Sequence, residues 1–300
     1  MTLRIGTRKS PLALAQAEEV RAKLLEAWPD RRFEIVPMMT SGDTFLDRPL
    51  AEIGGKGLFT KEIEAALLKR EIDMAVHSIK DMQTNLPDGL TLGCVLERED
   101  PRDVLVGQGV TSLADMPKGA TFSTSSLRRS AQLLMLRPDL KIIPLRGSVQ
   151  TRLGKIEKDE VQFTMLARAG LNRLQLWDVP GISLSTDEFL PAIAQGALGI
   201  ECRDQDSDVL DLLSPLADIE SETAILCERA FLRALDGSCH TPIAGYATVD
   251  GNQVHLRGLI VRPDGSAHHG INKIGEAKDA ESIGESAGRE LLEIAGKGFI

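Results

Sequence analysis

Short apolar runs alternate with helically spaced ones from the start of the chain. Leu3 to Thr7 reads as a strand ending in the turn Thr7-Arg8-Lys9-Ser10-Pro11. Ser10 followed by Pro11 is a helix start, an N-cap with proline at the first helical position. The helix predicted there runs to about Trp28, where Pro29-Asp30 stops it. Phe33 to Met39 is a second strand, and residues 40–57 form a long loop rich in Gly and Asp. A helix over Leu58 to Arg70 carries Phe59, Ile63, Ala66 and Leu67 at helical spacing. Ile72 to His77 is then a strand, and Ser78-Ile79-Lys80-Asp81 begins the next turn. The order β-α-β-α-β implies a mostly parallel sheet with right-handed crossovers.

The pattern restarts after Glu97-Arg98-Glu99-Asp100-Pro101-Arg102. Strand-like runs at Asp103–Gly107, Ala120–Ser123, Lys141–Leu145 and Gln162–Leu166, with helical runs between them, predict a second α/β domain over about 102–190. The run from Leu190 to Cys202 reads as a crossing back to the first domain, and two crossings would make a hinge with a cleft between domains. From Ile219 the texture changes. A long helix over 219–236, alternating runs at 243–249, 253–261 and 266–274, and a last helix over 277–296 predict an α+β unit with a meander sheet. No internal repeat and no low-complexity tract is visible.

Charge sharpens this picture. The chain has net charge −9, which argues against general nucleic-acid or membrane binding, and 4% aromatic residues, too few for wide base-stacking platforms. No segment reaches the roughly 18 apolar residues that span a bilayer. The N-terminal MTLRIGTRKSPLAL lacks a continuous apolar core of signal-peptide length, so a cytoplasmic location is expected. Yet seven basic residues (Arg128, Arg129, Arg137, Lys141, Arg146, Arg152, Lys155) stand between Thr121 and Lys155 with one acid, Asp139. Several fall at predicted strand-to-helix turns, in Ser125-Ser126-Leu127-Arg128-Arg129, Arg146-Gly147-Ser148 and Thr151-Arg152. Helix N-termini already favour anions, and guanidinium forks there suit carboxylates or phosphates. The expected ligand is an anion with several acidic groups. Arg137 and Lys141 are expected to be a solvated basic face.

The four cysteines show no CxxC spacing, so neither a zinc site nor a disulfide framework is suggested and no metal is expected. Cys94 and Cys202 lie in apolar strand-like runs and Cys227 in a helix, as buried structural thiols do. Cys239, in Gly237-Ser238-Cys239-His240, is a loop thiol, and its residues leave a reactive thiolate and an incidental cysteine equally open. Asp81 follows a strand, where α/β sheets place ligands, and suits stabilising a cation; an N-cap or a pair with Lys80 explains it as well. His77 fits a hydrogen-bonded core histidine better than a general base. Gly54-Gly55-Lys56-Gly57 lacks the GxxxxGK[ST] pattern of a phosphate loop and reads as a lid carrying one lysine.

Taken together and in order, LRIGTRKSPLALAQA, GGKGLFTKEIE, DMAVHSIKD, EREDPRDV, TSSLRRSAQL, LRGSVQTRL, LPAIAQGALGIECR and GSCHTPIAGYA resemble the porphobilinogen deaminase (hydroxymethylbilane synthase) family over nearly the whole length. The resemblance implies a transferase of tetrapyrrole biosynthesis that joins four porphobilinogen molecules head to tail, releases ammonia each time and yields hydroxymethylbilane. It implies a dipyrromethane cofactor held by a thioether to Cys239, and a catalytic aspartate at Asp81. It implies cofactor contacts from Lys80, Asp81, Ser126, Arg128, Arg129, Arg146 and Gly147, and substrate contacts from Lys56, Arg8, Ser10, Arg146, Arg152, Arg173 and Gln195. The growing polypyrrole accumulates acetate and propionate groups, which would explain an arginine cluster in an acidic protein.

The resemblance also implies two periplasmic-binding-protein-like lobes with mixed, mostly parallel sheets, and a C-terminal α+β domain with a three-stranded antiparallel sheet. The expected domains are 1–97 with 197–215, then 102–190, then 219–300, with hinges about 97–102 and 190–197. A cytoplasmic monomer acting on porphobilinogen and the growing polypyrrole, without nucleic acid or membrane, is expected. Glu52, Gln83, Ser123 and Ser238 depart from the residues common in the family. A non-catalytic two-lobed anion receptor shares the lobes and the arginines but needs neither Cys239 nor the third domain. A transcriptional effector would want a DNA-binding helix pair at one end, and none is visible.

Overall fold

The computed structural model describes residues 2–44, 57–237, 241–296 and 298–299. The chain divides into two compact units, residues 1–99 with 197–222 and residues 100–196 with 223–300. The first unit begins with strand β1 (Thr2–Arg8), helix α1 (Pro11–Ala27) and strand β2 (Arg32–Met38). A single turn, α2 (Ser41–Thr44), and helix α3 (Lys61–Leu68) precede β3 (Met74–Ser78), a 3₁₀ turn (Ile79–Asp81) and β4 (Leu90–Val95). α1 starts where the sequence predicts, because Ser10 is extended and its hydroxyl accepts the Ala13 N–H at 3.3 Å. Ala13, Ala17, Val20 and Leu24 then fall on one buried stripe.

The second unit runs β5 (Asp103–Gly107), β6 (Thr121–Ser123), α4 (Leu127–Leu136), β7 (Lys141–Ile143), α5 (Val149–Glu157), β8 (Phe163–Ala167), α6 (Arg168–Arg173) and β9 (Gly181–Ser183). The chain then returns to the first unit as β10 (Leu198–Arg203) and α7 (Ser207–Leu213). It ends with α8 (Ile219–Ala234), strands β11 (Ile243–Asp250), β12 (Gln253–Val261) and β13 (His268–Glu276), and α9 (Ala280–Ala295).

The two five-stranded sheets repeat one plan, in the orders β2-β1-β3-β10-β4 and β7-β6-β8-β5-β9. In each, three strands pair in parallel, the fourth is reversed, and the fifth is antiparallel to the fourth. Four of five strands therefore point one way. The reversed strand is the one entered just after a crossing, β5 in one sheet and β10 in the other. This reversal decides the chemistry. It sets Asp103, the first residue of β5, opposite Ala167 at the end of β8, and Leu198 opposite Ser78 at the end of β3. The crossings thus deliver their residues to the carboxyl edge of each sheet, where α/β folds place ligands.

Both sheets are covered on both faces, which is why their strands read as nearly unbroken apolar runs. In the first, Leu3, Ile5, Met74, Val76 and Ile200 pack on α1 and α7, while Ala75 packs with Ile63, Ala66 and Leu67 of α3. In the second, Leu105, Phe122 and Met165 form one core with Leu133, and Val104, Val106 and Leu166 form another with Ile156 and Leu171. The C-terminal sheet is antiparallel throughout, β11-β12-β13. Beneath it α8 and α9 approach closely, and a Cβ at Gly284 would stand 2.1 Å from the Cys227 carbonyl oxygen.

One expectation is corrected. Arg137 is not a solvated cation: it pairs with Asp139 at 2.8 Å and donates to the carbonyls of Leu113, Met116 and Pro117. It ties the 113–117 loop to the end of α4. Lys141 is exposed, as expected.

Candidate active site

In the second unit, three helices begin at the carboxyl edge of the sheet: α4 after β6, α5 after β7 and α6 after β8. Ser126 caps α4 by accepting the Arg129 N–H, and Ser148 caps α5 by accepting the Thr151 N–H at 3.1 Å. The loop before α4 is stitched to the strand beside it, with Thr124 N–H on the Ile143 carbonyl at 2.8 Å and Leu145 N–H on the Ser125 hydroxyl at 3.1 Å. Gly147 has φ +117, a left-handed conformation that suits glycine, and a Cβ there would press on Thr151 at 2.9 Å. Its carbonyl accepts Arg152 Nε at 3.0 Å.

Arg128 and Arg129 are buried side by side in the first turn of α4. Both reach one carboxylate, Asp103, which sequence reasoning missed. Arg129 donates to Asp103 Oδ1 through Nε at 3.1 Å and Nη2 at 2.7 Å, and Arg128 Nη2 lies 2.8 Å from Oδ2. Arg129 Nη1 donates to the Met165 carbonyl at 2.9 Å and Arg128 Nη1 to the Leu190 carbonyl at 2.8 Å. Gln195, at the second crossing, donates to Asp103 Oδ1 at 3.1 Å and to the Pro101 carbonyl at 2.7 Å. Burial alone would raise the Asp103 carboxyl, but Arg128 and Arg129 outweigh it and hold it at about 2.

Two guanidinium groups share the one Asp103 carboxylate, and Arg152 stands among like charges beside them. Burial lowers Arg152 to about 10, with Arg129 and Arg146 pushing in the same direction. Arg128 is lowered by burial and by Arg129, against the pull of Asp103. Cations at helix N-termini add to the macrodipole instead of offsetting it. Such a cluster fits a ligand that brings several carboxylates, as the pyrrole acids do. Arg173 closes α6 and donates to the Gly196 carbonyl at 3.1 Å, so it is placed at the crossing.

In the first unit, the ends of β1 and β3 are neighbours through the pairs Ile5 to Met74 and Gly6 to Ala75. That pairing brings Arg8 and Ser10 to the same edge as Lys80 and Asp81. Lys80 and Asp81 are half-buried in the 3₁₀ turn. The Arg8 guanidinium carbon lies 4.2 Å from the Phe59 ring centroid, within cation–π range. Gln16, buried on α1, donates to the Ser78 hydroxyl at 2.8 Å and braces the entry to that turn. Its place in LALAQA gave no polar signal beyond one glutamine on an apolar stripe. Ser123 is fully buried in β6, where its hydroxyl sits in the core and leaves the arginines untouched.

His77 is a core histidine, with Nε2 3.0 Å from Glu201 Oε2. Glu64 is buried nearby, and burial, reinforced by the Glu201 carboxylate, raises its carboxyl above the ordinary value. A raised native carboxyl favours folding while it is protonated, and that support is lost as pH rises through the native value. Glu64→Gln cannot ionise. It is expected to melt higher than the parent at pH 8, with the gap shrinking at pH 4. An equal gap at both pH values in thermal unfolding would contradict this.

The buried thiols Cys94, Cys202 and Cys227 are pushed up by burial to about 12, 11 and 12, so none is a nucleophile at neutral pH. Cys239, Ser238, Lys56 and Glu52 lie outside the described residues. Among the described residues no cluster of His, Cys, Asp or Glu is arranged to hold a metal ion, and no helix is long and apolar enough to cross a membrane.

A mixed α/β sheet whose carboxyl edge gathers Arg128, Arg129 and Arg152 at helix starts defines an α/β protein suited to an anionic ligand. A family profile described as "Porphobilinogen deaminase, dipyromethane cofactor binding domain" matches residues 3–211, and one described as "Porphobilinogen deaminase, C-terminal domain" matches 223–293. A porphobilinogen deaminase from Nitrobacter winogradskyi is 52% identical over 297 residues, spanning 98% of this chain and 94% of that protein. Among solved structures, the BenM effector binding domain with its effector benzoate is similar at TM-score 0.43 and 16% identity, covering 72% of this chain and 90% of that one. The periplasmic aliphatic sulphonate binding protein SsuA from Escherichia coli is similar at TM-score 0.43 and 15% identity, covering 78% and 70%.

The chain belongs to the porphobilinogen deaminase family. It is a transferase that polymerises four porphobilinogen molecules into hydroxymethylbilane on a dipyrromethane cofactor, releasing ammonia.

Proposed function

We propose that Cys239 carries the dipyrromethane through a thioether, and that Arg128, Arg129, Arg146 and Arg152, with Lys80, Ser126 and Gly147, hold its acidic arms. When bound, that group supplies the pyrrole terminus from which the chain is extended. Arg8, Ser10, Arg146, Arg152, Arg173, Gln195 and Lys56 bind the acetate and propionate groups of incoming porphobilinogen. The Asp81 carboxylate accepts pyrrole N–H groups and offsets the positive charge that develops at nitrogen as ammonia leaves. Asp103 fixes the two buried guanidinium groups so that Arg146 and Arg152 meet the ligand from a rigid wall. We further propose a cytoplasmic monomer. Its working parts are 1–97 with 197–215, 102–190 and 219–300; this division is supported by one sheet in each part and by family profiles that end at 211 and resume at 223.

One observation carries the reading. Arg128 and Arg129 share the single Asp103 carboxylate, and Arg152, held by the Gly147 carbonyl at the start of the next helix, is lowered to about 10 by burial and by Arg129 and Arg146, an arrangement that an acidic partner relieves. Arg152→Gln is expected to raise the KM for porphobilinogen by roughly 10- to 100-fold, as one charge-assisted contact is lost. Its melting temperature should stay level or rise, because a crowded cation is removed. An unchanged KM, or a KM that rises only along with a falling melting temperature, would count against the reading.

A further inference from the structure

Glu228 stands apart from every group used so far. It lies on α8 and is fully buried, with no exposed surface. Its two carboxylate oxygens serve two different segments. Oε2 accepts the Ala194 N–H at 2.6 Å, and Oε1 accepts the Ala247 N–H of β11 at 2.7 Å. Ala194 has φ +60, a left-handed conformation sparsely populated by a residue with a Cβ. A strained turn persists only where its surroundings over-determine it. The next residue, Gln195, reaches the Pro101 carbonyl and Asp103.

We infer that Glu228 is a positioning residue for the arginine cluster, acting through the Ala194 turn, Gln195 and Asp103. The Pro191 carbonyl of the same crossing accepts the Gly245 N–H of β11 at 3.2 Å, and three residues on the Glu228 carboxylate extends that link to Ala194. Because one side chain grips both the crossing and β11, it ties the strand that opens the C-terminal sheet to the carboxylate that sorts the arginines. Only a carboxylate can accept from two amides in this way. A glutamine offers one acceptor oxygen and turns an NH₂ donor toward the other N–H. The inference rests on the reading that the arginine cluster binds the acidic ligand.

The test compares Glu228→Gln with Ile225→Ala, a buried truncation on the same helix. Each holoenzyme is assayed for KM and kcat with porphobilinogen, for melting temperature, and for amide hydrogen exchange over 192–196. Glu228→Gln is expected to raise KM about tenfold, the loss of one bond to a charged group, and to speed exchange at Ala194 and Gln195. Ile225→Ala should lower the melting temperature while leaving KM within about twofold. Glu228→Asp keeps the charge but reaches one amide at most. It gives an intermediate KM and serves as the measurement if the glutamine variant does not fold. If the two Glu228 variants match Ile225→Ala in KM and in exchange at matched stability, the inference is overturned. If exchange quickens in Glu228→Gln while Arg152→Gln leaves KM unchanged, positioning stands and the ligand reading fails.

Discussion

Asp103→Asn is expected to destabilise the protein by about 3–5 kcal/mol, the largest effect of any single change considered. Removing one partner of a buried ion pair leaves the other charge uncompensated. Here two guanidinium groups and the Gln195 amide all converge on a carboxylate that is 1% exposed. Asparagine keeps the shape but loses the charge, so Arg128 and Arg129 would repel one another in the core. Denaturant unfolding monitored by circular dichroism measures the cost. A difference below about 1 kcal/mol would contradict the assignment. The pH dependence has a definite sign. The native carboxyl sits at about 2, below the ordinary 3.8. Its contribution is complete above about pH 4 and is lost as pH falls toward 2. The asparagine variant should lack that acid-dependent component.

Asp81→Asn is expected to lower turnover by roughly 10²- to 10³-fold, the effect of removing one group that stabilises transition-state charge. Asparagine still accepts a pyrrole N–H through its carbonyl but no longer carries the charge that opposes the developing cation. Cofactor attachment should survive, because the proposed arm contacts from Arg128, Arg129, Arg146 and Arg152 do not depend on it. Intact mass and single-turnover kinetics separate the two effects. Near-normal turnover, or loss of the cofactor mass, would rule out a purely electrostatic role.

The legibility of this chain varied with the length and purity of each apolar run. The run Asp103–Gly107 coincides with β5 because five strand positions follow Pro101-Arg102 without a break. The apolar spacing over Leu58 to Arg70 overshoots α3, which spans Lys61–Leu68, because residues 57–60 and 69–70 are turn. The strand-like run around Cys94 is β4, whereas β9, with only three residues, leaves no such pattern. The run around Cys202 is β10, but nothing local to it encodes its antiparallel placement between β3 and β4.

Site residues fared by a different rule. Arginines at helix starts announced themselves, because cations are unfavourable there without a ligand. Asp103 did not. An aspartate opening a strand is ordinary, and only the antiparallel placement of β5 against β8 carries it to arginines 26 residues or so away in sequence. Gln16 and Glu228 were equally silent, because each acts through tertiary partners that no local pattern encodes. Arg137 misled for the same reason: its carbonyl partners lie 20–24 residues back in the chain.

The account turns on a thiol-borne primer whose acidic arms are met by the guanidinium groups at the ends of β6 and β7. Intact-protein mass spectrometry with peptide mapping, on freshly made and fully active enzyme, tests it most directly. The predicted result is a dipyrromethane-sized addition confined to the peptide bearing Cys239, absent from Cys239→Ala, which has no turnover. Active enzyme with an unmodified Cys239, or full turnover by Cys239→Ala, would contradict it.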